Sequence, residues 1–177
     1  KFNPKEALKL LRSDGWKDTD GDNILDKVIN GKKTKFSITI LEPWEGFIKY
    51  LTIFKEDAKQ VGVEINIKQI EWNSFVKLLD ERNFEAVRLA WGGTFDWDPT
   101  QIWHSKSIAD GGSNFVGFRS KEVDRLTDLG QFEHDRAKRI ALFKKVEKLI
   151  VEQYPYAWFF YSKNILILWL CNLTFYH

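Results

Sequence analysis

KFSITILEPWEGFIKYLTIFKEDAKQVGVEINIKQIEWNSFVKLLDERNFEAVRLAW, residues 35–91, is the stretch that decides the fold class. Lys35 to Ile40 alternates apolar and polar side chains, the period of a half-buried strand, and Pro43 ends it. From Glu45 to Val61, the residues Phe47, Leu51, Phe54, Ala58 and Val61 recur at intervals of four and three, a single apolar stripe down a helix that Gly62 stops. Val63 to Ile67 alternates again. Trp72 to Arg82 reads as a second helix, with Asn73 or Ser74 as cap and Phe75, Leu78 and Leu79 turned inward, and Ala86 to Trp91 is a third strand. Strand, helix, strand, helix, strand specifies an α/β fold: a mixed, largely parallel sheet flanked by helices. In such sheets ligands gather beyond the carboxyl ends of the strands.

Beyond the third strand the chain breaks into Gly92-Gly93, then Thr94, Asp96, Trp97 and Asp98-Pro99. A loop of glycine, acidic and aromatic residues held by a sheet suits a ligand-facing edge. The same residues also suit a surface turn, in which Asp98 caps a short helix beginning at Pro99 and the tryptophans are core. Further on, Trp103, Gly111-Gly112 and Asn114 lie in a loop; Ser120 caps a helix with Val123, Leu126 and Leu129 inside. Asp135 starts a longer helix whose apolar face is Ile140, Phe143, Val146, Leu149 and Ile150, and whose basic residues form a solvated face. Tyr156 to Tyr161 reads as a strand, and the apolar run Ile165 to Leu170 is too short to span a bilayer.

On the amino-terminal side, Asn3 and Pro4 open a helix that runs to about Ser13 and closes at Gly15. Asp18, Asp20, Asp22 and Asp26 fall on the first, third, fifth and ninth positions of a calcium loop, making this acidic turn a calcium candidate. Asn23 stands at the sixth position in place of Gly and Ile29 at the twelfth in place of Glu, so an acidic turn leading into a hairpin at Asn30-Gly31 is the competing reading.

A net charge of +2 with both signs interspersed leaves no electrostatic footprint for nucleic acid. The single Cys171 makes no internal disulfide, no zinc spacing occurs, and His104, His134 and His177 share no face. His104 reads as loop structure. Neither a G-x-S-x-G nucleophile motif nor a phosphate-binding P-loop is present, and Asp96 and Asp98, alternate residues on a loop, do not straddle one bond as a glycosidase pair must. Binding without catalysis and without a cofactor is the expectation.

Several ordered motifs carry a resemblance: Trp91, Asp96, Asp98-Pro99, Ile102-Trp103-His104-Ser105, Asn114-Phe115-Val116-Gly117-Phe118 and Lys121 to Leu126, with Pro4 to Leu11, Gly15 to Asp18, Asp135 to Arg139 and Gln153 to Tyr156 around them. Together they resemble the carboxyl-terminal part of the family 5 extracellular solute-binding proteins, the oligopeptide- and dipeptide-binding components of ABC importers. The resemblance implies one lobe of a type II periplasmic-binding-protein-like fold, residues 1–161, with residues 162–177 crossing back to an amino-terminal lobe. It implies a peptide or similar small solute enclosed between the lobes, permease subunits as partners, and a location on the periplasmic or extracellular face of the envelope. Any membrane attachment would come through the permease or a lipid anchor outside these residues. Trp91, Gly93, Thr94, Asp96, Trp97 and Asn114 are then the ligand-binding candidates: the tryptophans as walls, Asn114 as a hydrogen-bonding group at the rim. In peptide-binding members an aspartate shortly after the equivalent of Trp91 pairs with the ligand's amino group; here Asp96 lies two positions later, where Thr94 holds the family position. The alternative function is a protein interaction module that pairs through its apolar carboxyl-terminal strand.

Overall fold

The computed structural model describes residues 2–92, 97–109 and 111–158. Helix α1 (Pro4–Ser13) begins as its sequence dictates: the Asn3 side chain accepts the Glu6 N–H at 3.2 Å, and Pro4 takes the first helical position. The acidic turn that follows leads into an antiparallel hairpin, β1 (Asp26–Ile29) and β2 (Lys32–Lys35), with Asn30 and Gly31 both at positive φ, as a tight two-residue turn requires. The strand expected from Lys35 is divided. Lys35 pairs with Asp26 in the hairpin, Phe36 bridges Leu25 and Glu64 through its backbone, and the sheet strand β3 runs Ser37–Glu42.

Strand β3 lies at the centre of the sheet. β4 (Glu64–Gln69) pairs with it in parallel along its whole length, and β5 (Ala86–Val87) pairs in parallel on the other side, giving the order β4-β3-β5. Helices α2 (Glu45–Lys59) and α3 (Trp72–Asp80) supply the crossovers and cover opposite faces. The period of two in the sequence sorts the side chains. Ile38, Ile40, Ile65, Ile67 and Ala86 pack with Leu51, Phe54 and Ala58 of α2, whereas Leu41 and Val87 pack with Phe75 and Leu79 of α3. The cap of α3 is Glu71, one residue before the helix, in place of Asn73 or Ser74; its carboxylate accepts the Ser74 N–H at 3.1 Å. Strand β5 is shorter than the apolar run 86–91 suggests, because β3 ends at Glu42 and Pro43 turns the chain away.

A second, helical core follows: α4 (Thr100–Trp103), a 3₁₀ turn (Ser105–Ile108), α5 (Lys121–Phe132) and α6 (Arg136–Val151). Ser120 and Asp135 cap α5 and α6 as expected. Trp103, Phe118, Val123, Leu126, Val146 and Ile150 form the interior. Leu129 and Ile140, expected inside, are 49% and 44% exposed. The buried line of α5 is Val123, Leu126, Thr127 and Gly130, which follows the 3.6-residue turn, whereas counting in steps of three drifts around the helix to Leu129. Residues 156–158 of the expected last strand are not extended into one, and the rest of it, with the apolar run at 165–170 and the crossing segment 162–177, lies outside the described residues. No helix among the described residues is long and apolar enough to cross a membrane.

Asp26, at the head of β1, is buried and accepts the Thr19 N–H at 3.0 Å, the Thr19 hydroxyl at 2.8 Å and the Lys33 ammonium at 3.3 Å. Burial raises its pKa, but the Thr19 bonds and Lys33 outweigh that and hold the carboxyl below its ordinary value. A carboxyl depressed in the folded state contributes stability above its unfolded value of about 4 that disappears as pH falls through the folded value. Asp26→Asn is therefore expected to flatten the acid limb of a plot of urea midpoint against pH; an unchanged limb would refute this.

Candidate functional site

Because β3, β4 and β5 run in parallel, their carboxyl ends share one edge of the sheet, and a tryptophan follows each end. Trp44 lies past β3, Trp72 past β4 and Trp91 past β5, with 43%, 45% and 40% of their surface exposed. Trp44 and Trp72 meet with ring centroids 4.9 Å apart, and Trp72 stacks on Phe75 at 5.7 Å. Apolar rings left in water at the edge where α/β sheets hold ligands constitute a candidate binding surface.

Beneath these rings lies an ion pair. Glu42, fully buried at the end of β3, receives Arg88 Nε on Oε2 at 2.5 Å and a second guanidinium nitrogen on Oε1 at 2.8 Å. The same carboxylate accepts the Trp44 N–H at 2.8 Å, and the guanidinium carbon lies 4.7 Å from the Trp44 ring and 4.0 Å from the Phe47 ring. The pair neutralises itself, fixes the Trp44 backbone and lays a cation under its ring. Neither Trp44, Trp72, Glu42 nor Arg88 stands out in the sequence. The available signal is positional: Glu42 closes β3, Arg88 follows β5 directly, and Trp44 and Trp72 lie within three residues of the ends of β3 and β4.

Trp91 stacks on Phe115 at 6.1 Å with an interplanar angle of 10°, and its side chain hydrogen-bonds Tyr156. Burial pushes the Tyr156 phenol up, partly offset by that bond. Tyr156 also meets Trp103 at 4.7 Å, so one chain of aromatic contacts runs from the sheet edge into the helical core. Trp97 is separate from this chain: it meets Phe143 of α6 edge-on at 5.8 Å. Gly93, Thr94 and Asp96 lie outside the described residues.

Asn114 is not at a rim. It is fully buried, donates to the carbonyls of His104 at 3.2 Å and Phe118 at 2.9 Å, and accepts the Phe118 N–H at 2.9 Å. Both amide hydrogens serve the backbone, so the residue holds the 104–118 loop closed from inside. His104 is structural in the same sense, its Nδ1 accepting the Lys106 N–H at 3.0 Å and thereby capping the 3₁₀ turn.

In the acidic turn, one carboxylate oxygen each from Asp18, Asp20 and Asp22 lies within 4.8 Å of the others, all three residues exposed. Asp26 does not join them, since Thr19 and Lys33 hold it in the interior. Lys33 pairs with Asp20 at 2.9 Å and Lys35 pairs with Asp22, so ammonium groups of the hairpin already balance two of the three carboxylates.

Residues 1–113 match the profile of the bacterial extracellular solute-binding proteins, family 5 Middle. The chain is 30% identical over 165 residues to the oligopeptide-binding protein AppA of Bacillus subtilis, covering 92% of this chain and 30% of that protein. It is also 30% identical over 174 residues to a probable ABC transporter-binding protein of Deinococcus radiodurans, covering 88% of this chain and 29% of that one. The solved structure of Bacillus subtilis AppA in complex with a nonapeptide superposes with a TM-score of 0.78 at 30% identity, over 88% of this chain and 31% of that one. An oligopeptide-binding protein from Thermus thermophilus, solved with a pentapeptide, shares the fold at a TM-score of 0.76 and 24% identity, over 88% of this chain and 29% of that one. The chain thus spans about 30% of the length of these relatives.

Removing one member of a buried ion pair leaves the other uncompensated, at a cost of about 3–5 kcal/mol, whereas replacing both with apolar groups is nearly neutral. Glu42→Leu is expected to lower the urea midpoint sharply and Glu42→Leu with Arg88→Met to recover most of the loss. Equal losses in the single and double variants would refute the pairing.

Proposed function

Because the chain belongs to the family 5 bacterial extracellular solute-binding proteins, we propose that it forms one lobe of a two-lobed receptor that encloses a peptide, or a solute of similar size, and delivers it to an ABC permease. The observation that carries this reading is the row of exposed tryptophans, Trp44, Trp72 and Trp91, at the carboxyl edge of the parallel sheet. Flat apolar rings bind side chains of many shapes by contact area, and the buried arginine beneath them is neutralised by Glu42 and adds no net charge of its own. Peptide backbone amides would find their hydrogen-bond partners across the closed cleft, and closure about a hinge would expel water from those bonds. Asp96 is assigned to the ligand's amino group, where a carboxylate makes a charge-assisted bond. The relatives' names support a peptide: AppA is an oligopeptide-binding protein, and its solved structure holds a nonapeptide.

Trp72→Ala in the intact protein should weaken the affinity for a nonapeptide about tenfold, the loss of one central aromatic contact. Calorimetry measures it directly. Asp96→Ala should weaken binding of the same peptide but leave its amino-acetylated form, which is already weaker, unaffected; equal losses for both forms would sink the amine assignment.

A further inference from the structure

We propose that Arg82 is a positioning residue for the candidate surface: it clamps the loop of residues 104–118 to the end of α3 and so fixes Phe115, the ring on which Trp91 rests. The proposal rests on the carboxyl edge of the sheet being the ligand surface. Arg82 stands two places past the end of α3 in a conformation that side chains disfavour. Its φ is +52°, in the left-handed region, with its N–H bonded to the Leu79 carbonyl at 3.0 Å and the Asn83 N–H bonded to that of Leu78 at 2.9 Å. A helix closed in this way favours glycine at that place, because glycine adopts the conformation without steric cost. An arginine there is kept by what its side chain holds.

The side chain crosses to the helical half of the molecule. Nη1 donates to the carbonyl of Asp80, the last residue of α3, at 3.2 Å; Nη2 donates to the carbonyl of Ile108 and reaches that of Gly112 at 3.5 Å. Ile108 and Gly112 lie on opposite limbs of one loop, and the limbs are themselves joined. The Asn114 N–H bonds the Ser107 carbonyl at 3.1 Å, and the Asn114 side chain donates to the His104 carbonyl at 3.2 Å. A side-chain carbon at Gly112 would overlap the Ser107 carbonyl, so glycine lets the two limbs touch. What fixes Gly112 therefore fixes Phe115, three residues on. Phe115 packs against the cluster of Leu41, Phe75 and Leu79 on the α3 side, and Trp91 stacks on its ring at 6.1 Å. Apolar contact alone is non-directional, whereas the guanidinium fork sets where the loop backbone lies. A Trp91 ring already seated loses less freedom when a ligand covers it, so the clamp raises affinity without touching the ligand.

The test labels the intact protein with 5-fluorotryptophan, assigns the fluorine lines of Trp91 and Trp44 through Trp91→Phe and Trp44→Phe, and measures affinity for one nonapeptide selected from a random library. Arg82→Gly removes the clamp and relieves the backbone, which separates positioning from stability. It is expected to leave the melting temperature near that of the unaltered protein, because the relief of the left-handed residue offsets the lost bonds. The Trp91 line should move while the Trp44 line stays, and the peptide should bind about fivefold more weakly, a smaller loss than that of an aromatic contact itself. Arg82→Lys keeps a cation that reaches one carbonyl but lacks the fork, and should recover part of both changes. A Trp91 line unmoved in Arg82→Gly overturns the clamp, and a moved line with unchanged affinity overturns its role in binding. Movement of both lines together with a fall in melting temperature overturns positioning in favour of general loosening. If the unaltered protein bound no peptide, the reading of the sheet edge would fall and the role in binding with it, while the Trp91 line would still decide whether Arg82 seats Phe115.

Discussion

Glu42 and Arg88 face one another across the end of a sheet whose β3–β5 ladder is only two residues long. A carboxylate with no exposed surface is stable there only because the guanidinium meets both of its oxygens and a backbone N–H takes a further lone pair. The arginine in turn lies against Trp44 and Phe47, so the pair ties the start of α2 to the exit of β5. Strand pairing has run out at this level, and charge takes over the task of holding the two chain segments together. The aromatic edge is built on that fastening.

Above it, the three tryptophans differ in what they rest on. Trp44 and Trp72 meet one another across the ends of neighbouring strands, whereas Trp91 faces Phe115, a residue supplied by the loop that Asn114 holds closed from within. The candidate surface therefore has two foundations, the sheet and the helical core. Asn114 belongs to the second as a fastener, which explains why an asparagine beside a glycine-rich turn resembles a rim residue in sequence and proves to be interior in space.

The layered part of the fold was legible because its periods are clean. Ile38, Ile40, Ile65 and Ile67 alternate and all reach the α2 face, and Asn3, Ser120 and Asp135 announce helix starts that the backbone then uses. What was not legible depended on partners distant in sequence. The end of strand β5 is not written in its own residues, because the place where its neighbour ends is a property of β3. Nothing local to Leu129 signals that Gly130 carries the helix contact. The spacing of Asp26 with the other acidic residues of its turn does not reveal a lysine on the next strand. Trp44, Trp72, Glu42 and Arg88 are silent in sequence for a related reason: an aromatic or an ion pair at a strand end becomes a site only when several strand ends are aligned.

Among the described residues, the sheet with α2 and α3 and the group of α4, α5 and α6 have interiors that share no buried residue. They are joined by Phe115, which packs on the α3 side, and by Arg82, whose guanidinium meets the carbonyls of Ile108 and Gly112. Two cores with a narrow seam are expected to open as separate units, one exchanging its amide protons while the other keeps them. Trp91 bridges that seam, reaching Phe115 from one side and Tyr156 from the other, so a molecule resting on Trp91 would be felt in the exchange rates of both halves.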